Sequence, residues 1–170
     1  MEIRILNGDD AGEWARLRLE ALQGDPEAFS SSVEQHKTLT IDDIRRRLGS
    51  GVRDSFVVGA FIEERLVGMS GFVREAGPKV EHKGRIWGVY VTPEHRKQGV
   101  ARKMFEVILE RARTIQGLER ILISVAATQT AAKQFYRTLG FEIFGVEPQA
   151  LKIGGRHIDE EYMGMSLPQN

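Results

Sequence analysis

The sequence contains no cysteine. That excludes disulfide staples, thiolate nucleophiles and thiolate metal sites, and it fits a reducing cytoplasm. No metal-ligand set is expected. Surplus charge is missing too: 24 basic residues balance 24 acidic ones, so no net field draws the molecule to nucleic acid or to an anionic membrane. No apolar run nears the ~20 residues of a membrane helix. The first ten residues carry Glu2, Arg4, Asp9 and Asp10, which leaves no apolar region for a signal peptide. Neither Gly-x-x-x-x-Gly-Lys-Ser/Thr nor Gly-x-Gly-x-x-Gly occurs, so both common nucleotide-binding fingerprints are excluded. Repeats, low-complexity tracts and linkers are absent as well. A single cytoplasmic domain over 1–170 is expected, long enough to bury about two thirds of its unfolded surface.

What the chain does have is the run Val89-Tyr90-Val91-Thr92-Pro93-Glu94-His95-Arg96-Lys97-Gln98-Gly99-Val100-Ala101-Arg102. A short β-branched stretch stops at a proline, passes through a basic turn and opens into a helix. Ala101, Met104, Phe105, Ile108 and Ala112 follow at steps of three and four, which makes one helix face apolar. The first N–H groups of such a helix lack intrahelical acceptors, and the helix dipole adds about half a positive charge there. Arg96, Lys97 and Arg102 add full charges. Gly99 can take φ > 0 or let backbone approach a bulky anion. The pattern predicts a phosphate or pyrophosphate held mainly by backbone; the plainer alternative is a solvated strand-to-helix turn.

This arrangement resembles motif A of the GCN5-related N-acetyltransferases, Arg/Gln-x-x-Gly-x-Gly/Ala after the fourth strand. Arg96, Gly99 and Ala101 fill its three fixed positions. The resemblance implies that Val89, Tyr90, Val91, Arg96, Lys97, Gln98, Gly99, Val100, Ala101 and Arg102 bind acetyl-CoA, the turn holding its pyrophosphate. Ala132-Lys133-Gln134-Phe135-Tyr136-Arg137-Thr138-Leu139-Gly140-Phe141 resembles the family's second motif, Ala-x-x-Phe/Leu-Tyr-x-x-x-Gly-Phe. Ala132 leaves room against the helix, Phe135 and Leu139 are expected to face the core, and Tyr136 lies one position off it. The resemblance makes Tyr136 the residue beside the sulfur of CoA, protonating it as it leaves.

Two positions depart from the family pattern. Gln129 stands seven residues before Tyr136, where Asn is usual; its amide offers the same donors and acceptor on a longer arm. Ser124 stands where some members carry a glutamate base. The resemblance covers roughly 55–165. It implies an α/β (α+β) fold, a mixed sheet of about six to seven strands flanked by about four helices. Within it, 1–54 would shape the acceptor side, 55–127 the cofactor-binding core and 128–170 the last helix and hairpin.

Element by element, Ile3–Leu6 reads as a strand, followed by a helix capped by Asp9 or Asp10 with Trp14, Leu17, Ala21 and Leu22 on one face. Asp25-Pro26 starts a helical turn into Phe29–Ser32. Thr40-Ile41-Asp42-Asp43 resembles a capping box, opening a helix that ends near Gly49-Ser50-Gly51. Ser55–Ile62 and Leu66–Arg74 form a hairpin, and Glu75–Gly84 a loop. Arg85–Val91 is a central strand, bending at Gly88; the next helix runs to about Ile115. Ile121–Val125 is a strand, Thr128–Leu139 a helix stopped by Gly140. Phe141–Phe144, Gln149–Ile153 and His157–Leu167 complete the sheet, with a turn at Gly154-Gly155.

The expected activity is N-acetyl transfer by direct attack of a primary amine, from a small molecule, a peptide N-terminus or a lysine. By the resemblance, a backbone N–H near Tyr90 or Val91 would receive the thioester oxygen. The base stays open among Glu75, Glu81, His82, Glu34, His36, His157 and Glu147, or a water chain. A CoA-binding sensor domain without turnover is the alternative, resting on Gln129 and Ser124; another phosphate-ligand enzyme is a third. A homodimer is compatible with all of these.

Overall fold

The computed structural model describes residues 1–49 and 54–168. Among them, strands form at Glu2–Ile5 (β1), Ser55–Ile62 (β2), Arg65–Arg74 (β3), Lys83–Val91 (β4), Arg120–Ala126 (β5), Glu142–Ile153 (β6) and Arg156–Ser166 (β7). Helices form at Ala11–Gly24 (α1), Val33–Lys37 (α2), Ile41–Gly49 (α3), Val100–Arg113 (α4) and Thr130–Thr138 (α5). The strands make one sheet in the order β1-β2-β3-β4-β5-β7-β6. Only the β4–β5 pairing is parallel. The expected mixed seven-stranded architecture is therefore present, with one helix more than expected.

Helices cover both faces of the sheet. On one, Met104, Phe105, Ile108 and Ala112 of α4 pack with Val58, Phe72, Ile86, Ile121 and Ile123. On the other, Trp14, Leu17, Ala21 and Leu22 of α1 and Ile44 of α3 pack with Val57, Phe61, Leu66 and Tyr90. Neighbours Val57 and Val58 thus enter opposite cores, as the two-residue period of a strand requires. Double coverage also explains why β2 and β3 read as nearly continuous apolar runs.

Local chemistry sets most boundaries. Thr40 and Asp43 cap α3 reciprocally: Thr40 N–H donates to Asp43 Oδ2 at 2.9 Å, and Asp43 N–H donates to Thr40 Oγ1 at 3.1 Å. The helix ends at Gly49; Ser50 and Gly51, assigned to its end from sequence, lie outside the described residues. The β2–β3 turn places Glu63 and Glu64 at φ 48° and 66°. Two left-handed residues in succession match the twist of a two-residue hairpin.

Four expectations need correction. Asp10 stands at the N-cap of α1 but makes no capping bond, because Arg4 binds its carboxylate through two contacts of 2.7 Å; Asn7 caps the preceding 3₁₀ turn instead. Helix α2 was not anticipated, although Ser32 and Gln35 form a full capping box. The last sheet segments are two strands, not three: β6 runs through Gln149, held at φ 57° by its N–H bond to Asp159 Oδ1 at 2.8 Å. In α5 the most buried residue is Tyr136 (5% exposed), while Phe135 and Leu139 are half-buried. The helix leans its Ala132–Tyr136 face, one turn apart, onto Phe105 and Phe141; the Tyr136 ring lies 5.7 and 6.2 Å from theirs.

Candidate active site

The site begins where β4 and β5 part. Their parallel pairing joins Lys83–Arg85 to Arg120–Leu122 and goes no further. Just beyond, Gly88 takes φ 65°. There Gly88 and Val89 oppose the single residue Ser70, between the pairs Met69–Tyr90 and Gly71–Trp87. This β-bulge re-aims β4. Thr92 N–H donates to Val67 O on the β3 side at 2.9 Å. Strand alternation therefore turns Val91 N–H to the opposite edge, into the gap left by β5. A cleft of about 740 Å³ occupies the gap.

The floor of the cleft is the start of α4. Gly99 is its N-cap at φ 79°, with no side chain capping the helix. Lys97 is also left-handed, at φ 62°. The first i→i−4 bond is Lys103 N–H to Gly99 O at 3.1 Å, so the N–H groups of Val100, Ala101 and Arg102 precede it without an intrahelical acceptor. A Cβ on Gly99 would meet nothing within 4 Å. Open space, unclaimed N–H groups and the dipole's positive end fit a bulky anion such as a pyrophosphate.

Of the residues assigned to the site from sequence, Val89, Tyr90, Val91, Arg96, Lys97, Gly99, Val100, Ala101, Arg102, Gln129, Ala132 and Tyr136 line this cleft. Gln98 does not; its amide turns back to Glu94 O at 2.8 Å. Tyr90 contributes backbone rather than phenol. Its hydroxyl donates to Glu20 Oε1 at 3.2 Å on the far face, and burial with the nearby Glu20 carboxylate pushes its pKa up to about 12.

Arg96 is less free than its place in the motif implies. Its Nε donates to Val91 O at 2.8 Å, its Nη2 pairs with Asp25 at 2.6 Å, and it lies over the Tyr90 ring. These bonds tie the end of β4 to the end of α1. Arg102 reaches Thr138 Oγ1 at 3.0 Å, joining α4 to α5.

The family model for the acetyltransferase (GNAT) domain matches residues 3–162. The chain belongs to the GNAT acetyltransferase family. Against the L-methionine sulfoximine/L-methionine sulfone acetyltransferase of Pseudomonas paraeruginosa it is 34% identical over 88 residues, 52% of this chain and 48% of that protein. The chain thus spans about half the length of the curated relatives it matches. Among solved structures, a GNAT-family acetyltransferase from Streptococcus pneumoniae superposes with a TM-score of 0.88 at 21% identity, covering 98% and 99% of the two chains. A Salmonella typhimurium protein solved with its cofactor acetyl-CoA gives a TM-score of 0.83 at 20% identity, covering 100% and 95%. At these identities the likeness is one of fold.

The GNAT cleft also contains residues that the sequence reading missed. Glu160 lines it, and burial with the neighbouring Glu147 raises its carboxyl above the usual range. Nothing local marks Glu160 in the run Asp159-Glu160-Glu161; it reaches the cleft because β7 pairs with β5, setting Glu160 opposite Ala126. None of the seven base candidates from sequence lines the cleft. Glu75 binds Arg85, Glu147 accepts the Tyr162 hydroxyl, and His36 contacts Ala15 O at 3.0 Å on the other face. Ser124, at the family's glutamate position, does line it.

Proposed function

We propose that this GNAT protein transfers an acetyl group from acetyl-CoA to a primary amine of a small molecule or peptide. One observation carries the reading: an uncapped helix N-terminus, an unpaired strand edge and a buried tyrosine meet in a single cleft. When bound, acetyl-CoA supplies the activated acyl carbon and a thiol leaving group.

The chain's own residues do the rest. Val100, Ala101 and Arg102 N–H donate to the pyrophosphate, with the charges of Lys97 and Arg102 beside them; Gln129 offers its amide to the pantetheine arm. Val91 N–H donates to the carbonyl oxygen as that oxygen gains charge. At pH 7 a lysine-like amine is neutral in only about one molecule in 10³, so Glu160 takes its proton, directly or through water. Burial among Phe105, Phe135 and Phe141 pushes the Tyr136 phenol up and keeps it protonated through the neutral range. Tyr136 Oη gives that proton to the departing sulfur, whose own basicity rises in the same dry surroundings. In balance, an N–C bond forms as the C–S bond breaks. Nitrogen loses one proton through Glu160 before attack and a second by the same route as the amide forms. Sulfur gains one from Tyr136, Tyr136 is reprotonated from solvent, and one proton is released net.

Free-thiol release from acetyl-CoA, measured with and without an amine panel, tests the activity. CoA should stabilise the fold by ~2.7 kcal/mol at a hundredfold excess over Kd, and desulfo-CoA nearly as much, since the grip is on phosphates. A CoA-induced shift without amine-dependent release would favour the sensor reading; no shift at millimolar CoA would sink both. Glu160→Gln should cut kcat/KM by about 10², the lower end for a general base because water also serves. The parent's rate should fall as pH drops through the raised carboxyl pKa, and the variant should lose that limb. An unchanged pH profile would clear Glu160 of the role.

A further inference from the structure

The sheet's other face carries a second cavity, of about 580 Å³, between α1, α2, α3 and strands β2 and β4. Its walls include Trp14, Leu22, Ile44, Phe56 and Trp87, and no Asp or Glu lines it among the described residues. Two residues that line it each carry a buried donor with no hydrogen-bond partner among the described residues: Arg18 Nη1 and Trp14 Nε1. Arg18 is 8% exposed and Trp14 7%. They stand four apart on α1 and so share one face.

The guanidinium of Arg18 lies over the Phe29 ring at 4.6 Å. Burial alone pulls its pKa down to about 10, with no carboxylate offsetting it. A buried cation without a counter-ion is costly to the fold, and an orphan donor on each of two residues one helical turn apart suits an anion with more than one oxygen. Arg18, Ser31 and Trp87 line both this cavity and the transfer cleft, so the two spaces meet at the cation.

We propose that this second cavity is the acceptor pocket and that the acceptor is an amine bearing a carboxylate and an apolar side chain. The carboxylate accepts hydrogen bonds from Arg18 Nη1 and Trp14 Nε1. The apolar part rests against Val57 and Trp87, and the amine extends past Arg18 into the cleft. The proposal rests on the transferase reading for the fate of the amine, but the anion pocket can be tested without it. A polyamine would meet the Arg18 charge as a like charge and is disfavoured.

Both tryptophans of the chain line the cavity, so their fluorescence reports its occupancy directly. Titration with 3-phenylpropanoate should give a saturable change roughly 10- to 150-fold tighter than 3-phenylpropanamide, the range for hydrogen bonds to a charged group. Arg18→Gln should bring the two affinities together. Arg18→Lys should keep part of the preference, and Trp14→Phe should weaken the carboxylate selectively, with Trp87 still reporting. Circular dichroism checks that each variant is folded; should Arg18→Gln fail that check, the other two carry the test. Equal binding of acid and amide by the parent, no saturable signal with the acid, or an intact preference in the folded variants would overturn the anion pocket.

With acetyl-CoA present, phenylalanine should exceed 2-phenylethylamine in kcat/KM by a similar factor, and Arg18→Gln should collapse that ratio. Equal use of the two amines would overturn the acceptor assignment. Carboxylate binding by a protein that releases no thiol with any amine would overturn the transferase reading and leave the anion pocket standing.

Discussion

Tyr136→Phe should lower kcat by about 10²–10⁴, the usual contribution of a positioned acid, and leave the Kd for CoA nearly unchanged. The substitution removes one oxygen and keeps the ring. Its contacts with Phe105, Phe135 and Phe141 therefore persist, and no hydrogen-bonded partner is stranded in the core. Melting temperature should stay close to that of the parent. The decisive readout is the dependence on leaving group. An acyl donor with a lower-pKa thiol needs less protonation, so the deficit should shrink with it. A tyrosine that only fills space would show no such trend. Near-parental kcat in a stable Tyr136→Phe would move the acid to water or to another residue.

Gly99→Val should abolish stabilisation by CoA, removing the ~2.7 kcal/mol expected at a hundredfold excess over the parent's Kd. The residue sits at φ 79° as the N-cap of α4, a conformation that costs an L-residue about 1–2 kcal/mol and a β-branched one more. A valine Cβ would project into open space, the space where a pyrophosphate would approach the Val100–Arg102 amides. Steric exclusion and backbone relaxation thus act together on binding. The fold should survive with a melting temperature lower by several degrees, since each kcal/mol is worth about 2–4 °C at this size. Buried Met104, Phe105 and Ile108 still anchor the helix. Retention of the CoA shift in Gly99→Val would place the anion elsewhere.

Much of this site is written in consecutive residues. The strand, bulge glycine, basic turn and helix start all fall within residues 86–102. Their signals are local: a proline, glycines at φ > 0, and a 3.6-residue apolar period that buries Met104, Phe105 and Ile108. Helix α5 was legible for the same reason, and Gly140 at φ 95° ends it as expected. The hairpin of β2 and β3 needed only two apolar runs and a short polar turn. The expectation failed where a local pattern had competing tertiary partners. Asp10 fits an N-cap by type, yet the Arg4 guanidinium takes its carboxylate; Tyr136 lies off the apparent apolar stripe, yet the lean of α5 buries it.

By itself, then, the sequence determined the family motifs, a set of residues of which all but Gln98 line one cleft, and the mixed sheet that carries them. Tertiary structure alone decided that β7 enters between β5 and β6 and brings Glu160 into the cleft. It also decided that Asp25, from the end of α1, engages Arg96, and that Arg18 and Trp14, each with a donor unpartnered among the described residues, line one cavity. The physical reason is range. Backbone dihedral preference and side-chain period act over a few residues and are visible in the chain. The partner of a buried charge is set by strand order and by which helix covers which face, and contacts between segments scores of residues apart leave no mark at either position.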